Sequence, residues 1–255
     1  MAAEGRLSLA VVGGGWAGLA AAVEAVRRGH RVTLFEMAPQ LGGRARSVEG
    51  PVVVDNGQHI LIGAYTETLR LMRAVGVAPA DVLLRTPLRL CDAQGRGLRL
   101  PGGAPLLSFV RGVLAQDAWT LAERLRLLAV AGGWGLRGFA CAPSTTVQAL
   151  ARRLPATVQR ELIEPLCVAA LNTPAEEASG QVFLRVLRDA LFAGPGSSDL
   201  LFPRRRQSEL LPAAAEQWLG RHGATILRSH RVDSIERRAP GWQVDGQAFD
   251  HVVLA

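Results

Sequence analysis

The sequence contains no lysine and few cysteines. All 29 basic residues are arginines, which indicates a compositional bias, because an ordinary protein surface mixes both cations. No two of Cys91, Cys141 and Cys167 stand at the spacing of metal ligands, so we predict no metal site. Their odd, sparse number also argues against a disulfide framework. We expect three small buried apolar residues in a protein of a reducing compartment, the cytoplasm.

Long apolar runs are also missing. None approaches the roughly 20 residues of a membrane-spanning helix, and the nearest, residues 125–140, contains two arginines and four glycines. The first apolar run, residues 7–12, is too short for a signal peptide and enters a glycine turn directly. These absences argue against a spanning helix and leave open a peripheral contact with the inner face of a membrane.

The positive charge is spread along the chain rather than clustered. The net charge is +7, but proteins that bind nucleic acid usually concentrate their basic residues on one face or stripe. We therefore expect no nucleic-acid partner. The only run of three arginines is Arg204-Arg205-Arg206. It is either a solvated loop, which we prefer, or a point of attraction to anionic lipid head groups.

The first 35 residues contain a βαβ pattern. Residues 7–12 predict a buried strand, residues 17–28 an alanine-rich helix that Gly29 caps, and residues 31–35 a second strand. Strand, helix and strand within about 30 residues form a unit of a parallel sheet. Apolar residues make up 49% of the 255 residues, enough for the core of one large or two modest domains.

The rest of the chain suggests an insertion followed by a return to the first domain. We predict a doubly wound, Rossmann-like α/β domain built from residues 1–79 and 206–255. A mostly helical substrate domain, residues 80–205, interrupts it. Further strands are predicted at residues 52–54, 224–227, 231–235, 242–244 and 252–255, and further helices at residues 66–75, 120–131, 145–153, 180–192 and 208–221. Because an apolar strand runs to the end of the sequence, we expect a domain truncated at its C-terminus.

A glycine-rich turn joins the first strand to the first helix. Gly13, Gly15 and Gly18 fit the pattern G-x-G-x-x-G in the context that the pattern requires. The first glycine permits the tight turn, the second lets the backbone approach a pyrophosphate, and the third lets the helix pack closely on the strand. The helix N-terminus then offers free N–H groups to the phosphates.

Glu36 completes this dinucleotide-binding pattern at the end of the second strand. A carboxylate there accepts hydrogen bonds from ribose hydroxyls and repels a 2′-phosphate, which disfavours NADP. The alternative is a tight glycine turn in an unrelated α/β domain, with Glu36 merely ending a strand.

A second glycine-rich loop, Gly42-Gly43-Arg44, follows Glu36. A flavin dinucleotide extends past the first turn, so this loop can approach it and Arg44 can neutralise the pyrophosphate. An NAD dehydrogenase requires no such loop. The alternative is an ordinary surface turn with a solvated arginine.

These motifs together resemble the opening of the amine oxidase and phytoene desaturase superfamily of flavoproteins. Within it, residues 13–19 and 54–59 are similar to hydroxysqualene dehydroxylases, also called squalene-associated FAD-dependent desaturases. The segments Phe202-Pro203-Arg204 and Ser208-Glu209-Leu210 are similar to the same family. The resemblance runs through most of the chain and is specific only at these motifs.

The resemblance implies that FAD is the cofactor and that residues 55–59 lie near the flavin ring. It implies an apolar isoprenoid substrate, squalene or phytoene synthase-like partner enzymes, and contact of the Val232 backbone with the adenine. The residues expected to hold FAD are Gly13, Gly15, Ala17, Gly18, Glu36, Gly42, Gly43, Arg44, Gly57, Gln58 and Val232.

Two side chains near these motifs have two interpretations each. His59 is the candidate general acid for a leaving hydroxyl, or a histidine satisfied within a turn. Trp16 covers the dinucleotide or packs beneath the helix, and we prefer packing because aromatic side chains bury large areas. His30, His222, His230 and His251 receive no predicted role.

The resemblance therefore implies an FAD-dependent oxidoreductase that reduces hydroxysqualene to squalene, in which the apolar middle helices admit a long substrate or serve only as core. Three alternatives stay open. The first is a carotenoid-type desaturase. The second is a flavin amine oxidase, which needs aromatic side chains that are scarce here, at 5% with one tyrosine. The third is an inactive, truncated flavoprotein.

Overall fold

A computed structural model describes residues 5–48, 50–57, 59–91, 94–95 and 97–255. The chain forms two compact units. The first consists of the described residues of Met1–Ile60, Thr66–Leu84 and Phe202–Ala255, and the second of those of Leu61–Tyr65 and Arg85–Leu201.

A four-stranded parallel sheet forms the centre of the first unit. Its two inner strands are β1, Ser8–Val12, and β2, Arg31–Phe35, which pair in register from Ser8 opposite Arg31 to Val12 opposite Phe35. Thr225–Leu227 pairs with the outer edge of β2, and His251–Leu254 with the outer edge of β1. The sheet confirms the predicted α/β class and the predicted βαβ unit.

The helix between β1 and β2, called α1, spans Trp16–Arg27. Its buried face is built mostly from small residues, so the helix lies close to the sheet and beside the helix Pro212–Arg221. Gly29 ends the helix in the left-handed conformation, with φ +87°, as the sequence predicts. The helix Pro212–Arg221 leads into the strand Thr225–Leu227 in the same way, through Gly223 at φ +78°.

An antiparallel three-stranded meander follows, made of Ile235–Arg238, Gly241–Val244 and Gln247–Phe249. The predicted strand at residues 231–235 is wrong, because strand pairing begins only at Ile235. The carboxylate of Asp245 accepts the N–H groups of Asp233 (3.0 Å) and Ser234 (2.8 Å), which holds the preceding segment in an irregular turn. Val244 and Phe249 pack with Ala10 and Phe35 in a small core.

Shorter elements complete the first unit. Ser47–Val48 pairs with Val54–Asp55, so the strand predicted at residues 52–54 begins later. The helix predicted over residues 208–221 is broken at Leu211, because Pro212 disfavours a helical conformation in the residue before it. The remaining elements are the helices Thr66–Ala74, Pro79–Val82 and Gln207–Leu210 and the strand Leu83–Thr86, which leads to the second unit.

The second unit is mostly helical. Thr120 and Glu123 form a capping box at the start of Leu121–Leu136: the Glu123 carboxylate accepts the Thr120 N–H at 2.8 Å, and the Thr120 hydroxyl accepts the Glu123 N–H at 3.3 Å. Buried side chains such as Trp119, Leu127 and Phe183 form its core. The other helices are Pro105–Leu114, Val147–Ala151, Ala156–Val158, the π-helical turn Gln159–Ile163, Glu164–Leu171 and Gly180–Leu191.

Two short antiparallel pairings accompany these helices. Arg89–Cys91 pairs with Gly97–Arg99, and Leu61–Ile62 pairs with the first half of Leu200–Pro203. Of the three cysteines, Cys167 is buried as predicted and Cys141 is half-buried. Cys91 is exposed on its hairpin strand, so the prediction for Cys91 is wrong. Within the described residues, every helix falls short of the length or the hydropathy that a membrane span requires.

The side chain of Asp250 fastens the last strand to β1. Its Oδ2 accepts the backbone N–H of Ser8 at 2.7 Å and the Ser8 hydroxyl at 2.8 Å. These two bonds, the backbone bond more than the hydroxyl bond, hold the pKa of Asp250 below its ordinary value. A carboxyl with a lowered folded-state pKa stabilises the fold above its unfolded-state pKa, about 3.9, and this stabilisation is lost as the pH falls through the folded-state pKa.

We therefore expect Asp250→Asn to lower the Tm at neutral pH, with the difference from the parent shrinking as the pH falls below about 4. Circular dichroism melts across the acid range measure this. The exposed residue Asp117 provides a matched Asp→Asn control that we expect to leave the Tm nearly unchanged. A Tm difference for Asp250→Asn that is the same at every pH would contradict a role for its ionised form.

Candidate dinucleotide site

The turn between β1 and α1 contains two glycines, Gly13 and Gly18. Any other residue at either position would force the neighbouring backbone to move. Gly13 has φ +107°, and a Cβ on it would overlap the carbonyl of Ala255. A Cβ on Gly18 would overlap the carbonyl oxygen of Gly13. The first helical turn can therefore lie directly on the end of β1 only because both positions lack a side chain.

The N-terminus of α1 is free of competing groups. Gly15 occupies the N-cap position and provides no side-chain hydrogen bond, and the first turn contains no acidic residue. The first N–H groups of a helix have no partner within the helix, and the helix dipole places partial positive charge beside them. This end of α1 is therefore suited to a phosphate group.

The second glycine-rich loop packs directly on the first. The N–H of Gly42 donates to the carbonyl of Gly14 at 2.9 Å. Gly42 and Gly43 have φ +115° and +60°, and a Cβ on Gly43 would lie 3.1 Å from the Cα of Gly15. The glycine pair therefore serves a close approach of two backbones, which an ordinary surface turn would not require.

Glu36 is buried at the end of β2, and its carboxylate links the first glycine turn to the segment after β2. Its Oε2 accepts the Gly14 N–H at 2.6 Å, and its Oε1 accepts the Ala38 N–H at 2.7 Å. Each carboxylate oxygen has a second lone pair, so these two bonds leave acceptor capacity for ribose hydroxyls. Glu36 is therefore more than the end of a strand, because it braces the glycine turn.

A cavity of about 1000 Å³ lies in the first unit, at the carboxyl ends of β1 and β2. This is where ligands bind in parallel α/β sheets. Gly18 and Gly57 are predicted to hold FAD but are not part of the cavity wall. Gln58, which is also predicted to hold FAD, lies outside the described residues. The predicted residues in the wall are Gly13, Gly15, Ala17, Glu36, Gly42, Gly43, Arg44 and Val232, with the candidate acid His59.

The segment after residue 54 serves partly as a brace. Asp55 Oδ1 accepts the Ser47 hydroxyl at 2.9 Å and the Gln207 N–H at 3.1 Å. The Asn56 amide donates to the carbonyl of Arg44 at 3.0 Å. These bonds hold the second glycine loop in place. Gly57 has φ +78°, so a turn there needs glycine.

His59 is exposed and contributes to the cavity wall. A general acid must also come within hydrogen-bond reach of the leaving group, so the catalytic role of His59 stays a prediction. Val232 is half-buried in the irregular segment before Ile235 rather than in the expected strand, and it also reaches the wall. Trp16 Nε1 donates to the carbonyl of Ala45 at 3.3 Å, and Trp16 also lines the cavity. Covering of the dinucleotide by Trp16 stays a prediction.

His230, which has no role predicted from the sequence, also lines the cavity. Its ring lies 5.3 Å from the ring of Phe35, and its Nε2 lies 3.1 Å from Oδ2 of Asp245. The N–H of Ser234, with smaller contributions from His230 and Asp233, lowers the pKa of Asp245. Position provided a signal, because His230 follows the strand Thr225–Leu227, the neighbour of β2 in the sheet.

The two glycine loops, the uncapped helix end and the buried carboxylate fit an adenine dinucleotide. The phosphates suit the N-terminus of α1 and Arg44, and the ribose suits Glu36. The second loop extends the cradle beyond what NAD requires, so the fold and the site define a flavoprotein of the FAD-binding class.

The sequence model of the flavin containing amine oxidoreductases matches residues 16–255. The chain belongs to this family. Family membership confirms the predicted FAD cofactor and the predicted oxidoreductase class.

Similar proteins agree with this assignment. The hydroxysqualene dehydroxylase of Sinorhizobium fredii is 28% identical over 242 residues, 90% of this chain and 54% of the relative. The zeta-carotene desaturase of Zea mays is 34% identical over 109 residues, 40% of this chain and 19% of the relative. An oxidoreductase of Methanosarcina mazei has the same fold, with TM-score 0.68 and 16% identity over 97% of this chain and 58% of its own.

The predicted resemblance to hydroxysqualene dehydroxylases is thus confirmed. The chain spans about half the length of the hydroxysqualene dehydroxylases it matches.

Proposed function

We propose that the protein is an FAD-dependent oxidoreductase of long isoprenoids that converts hydroxysqualene to squalene. One observation carries this proposal. Similarity to the hydroxysqualene dehydroxylases of Sinorhizobium fredii and Rhodopseudomonas palustris extends over 90% and 88% of this chain. Similarity to the zeta-carotene desaturase of Zea mays covers 40%. The same proposal includes partner enzymes resembling squalene or phytoene synthases.

The reaction is a reductive removal of a hydroxyl group. The C–O bond breaks, the oxygen takes up a proton and leaves as water, and the same carbon gains a hydride with its electron pair. Reduced FAD, when bound, supplies that hydride and is oxidised by two electrons. The substrate carries no charge, so the protein contributes binding, orientation and exclusion of water rather than ion pairing.

This chain contributes the cofactor cradle and one candidate proton donor. The N-terminus of α1 and Arg44 would hold the phosphates, and Glu36 would hold the ribose. His59 in the cavity wall would give its proton to the leaving oxygen.

The second candidate is a carotenoid-type desaturase, favoured by the 34% identity to the plant desaturase. It would use oxidised FAD and remove two hydrogens from a polyene precursor, so the two candidates differ in the direction of electron flow. Among the described residues, none of those that line the cavity specifically favours a flavin amine oxidase or an inactive flavoprotein.

The test is a single-turnover reaction. The protein is loaded with FAD, reduced anaerobically and given hydroxysqualene, and the extract is analysed by gas chromatography with mass detection. We expect squalene in proportion to reduced flavin, and none from the same sample with oxidised flavin.

The matched experiment gives oxidised protein a carotenoid precursor and follows desaturation by absorbance. Absence of squalene from protein with demonstrated flavin absorbance would rule out the dehydroxylase. Desaturation in the second experiment would then select the desaturase.

A further inference from the structure

A groove in the second unit collects four arginines. It has a volume of about 470 Å³ and lies between the helices Leu121–Leu136 and Val147–Ala151. Arg126 lines it from the first helix and Arg137 from the residue after that helix, and Arg152 and Arg153 line it from the two residues after the second helix. Among the described residues, no aspartate or glutamate lines it. We call this feature the arginine groove.

The charges of the arginine groove are not neutralised within the described part of the chain. None of its four side chains pairs with a described carboxylate, and Arg126 Nε donates instead to the carbonyl of Arg153, 2.9 Å away. Other arginines of this unit are paired, such as Arg85 with Asp199 at 2.7 Å. Because arginine stays protonated throughout the physiological pH range, the groove presents four positive charges to an external anion.

Exposed leucines form a stripe beside the groove. Leu121, Leu125 and Leu136 have exposed fractions of 63%, 52% and 94%. Their spacings of four and eleven residues return to nearly the same direction on an α-helix. Ala129, one turn beyond Leu125, already lines the groove. One helix therefore carries an apolar stripe directly next to a row of cations.

We propose that this face of the helix Leu121–Leu136 docks on an anionic lipid bilayer. The arginines contact head-group phosphates, and the leucine stripe enters the boundary between head groups and acyl chains. A stripe of exposed leucines beside a cluster of cations is typical of interfacial binding, in which each cation near the surface adds to the attraction. The leucines favour a bilayer over a soluble phosphate, because a soluble anion would leave them in water.

The proposal rests on charges and exposed apolar residues, so it is independent of the proposed substrate. It also places the lipid contact away from Arg204-Arg205-Arg206. From the sequence alone, that run of three arginines is the candidate for a lipid contact. The arginines of that run are exposed as well, but their neighbour Gln207 is buried, and the adjoining helix Gln207–Leu210, described in full, has no exposed leucine stripe.

The test is sedimentation of the full chain with vesicles of phosphatidylcholine, with and without phosphatidylglycerol. We expect binding only to the anionic vesicles, weakening with added salt. Arg152→Gln with Arg153→Gln should lower the partition coefficient about 25-fold, since each arginine near the surface contributes about 5-fold. The control, Arg237→Gln with Arg238→Gln on an exposed meander strand, should bind like the parent.

Further variants separate the competing explanations. Leu121→Ser with Leu125→Ser should weaken vesicle binding while lowering the Tm only slightly, because more than half of each side chain is exposed and serine is a somewhat poorer helix former than leucine. Equal binding to neutral vesicles would overturn the proposal, as would loss of binding on Arg204→Gln with Arg205→Gln instead of the groove variant. Stabilisation by inorganic phosphate that depends on the groove arginines, without vesicle binding, would also overturn it and indicate a soluble anion site.

Discussion

Gly15→Ala is expected to abolish tight FAD binding while leaving the fold intact. Gly15 has φ −70° and ψ 179°, an extended conformation that any residue adopts. A Cβ there would meet nothing closer than the Cα of Gly43, 3.9 Å away. Neither backbone strain nor a clash therefore opposes alanine in the protein itself.

The substitution is expected to weaken FAD binding at the phosphates. The added methyl group lies in the cavity wall at the N-terminus of α1, where the pyrophosphate must approach the backbone N–H groups. Losing two hydrogen bonds to a charged group, at about 1.5–3 kcal/mol each, corresponds to an affinity loss on the order of 100-fold or more. Titration followed by flavin fluorescence measures the affinity, and circular dichroism of the flavin-free protein measures the Tm.

Two further glycine variants serve as controls. Gly18→Ala should lower the Tm of the flavin-free protein, because its Cβ would overlap the carbonyl of Gly13. Gly220 lies in the helix Pro212–Arg221 with open space around it. Gly220→Ala should therefore leave the FAD affinity unchanged and raise the stability of the protein by roughly 0.5–1 kcal/mol. Unchanged FAD affinity in Gly15→Ala would mean that the pyrophosphate lies elsewhere.

The β1–α1–β2 unit was predictable because its signals are local. An apolar strand, a glycine turn and an alanine-rich helix ended by Gly29 each need only neighbouring residues to be interpreted. The predicted contact of the second glycine loop with the dinucleotide also depended on its closeness in sequence to Glu36. The sequence could not show that Gly42 pairs with the backbone of the first glycine turn.

The misplaced strand at residues 231–235 has a non-local cause. A short strand was predicted there, but the carboxylate of Asp245, more than ten residues away, accepts the backbone N–H groups of Asp233 and Ser234. The same carboxylate lies 3.1 Å from Nε2 of His230. The signal for His230 was its place after the strand Thr225–Leu227, a predicted strand next to β2 in the sheet. The break at Leu211 has a local cause, because Pro212 disfavours a helical conformation in the residue before it. The continuous apolar pattern of residues 208–221 nevertheless led to the prediction of one unbroken helix.

Glu36 offers the second large effect, because one carboxylate serves both the fold and the cofactor. Glu36→Gln preserves the shape of the side chain but replaces one of two acceptors with a donor. The N–H groups of Gly14 and Ala38 both require an acceptor, so one of them loses its partner. An unsatisfied donor of this kind costs about 1–3 kcal/mol, which chemical unfolding of the flavin-free protein should detect.

FAD affinity separates the two roles of Glu36. If its carboxylate also accepts the ribose hydroxyls, Glu36→Gln weakens binding beyond the effect on the fold, and the rise in Tm on adding FAD becomes smaller than in the parent. Glu236→Gln, the same change on the exposed strand Ile235–Arg238, should alter neither quantity appreciably. A flavin-free protein that is destabilised but binds FAD with parental affinity would show that Glu36 only braces the glycine turn. The ribose would then need another partner in the cavity wall, and His230, whose backbone N–H donates to the Glu36 carbonyl at 2.9 Å, would be the first residue to replace.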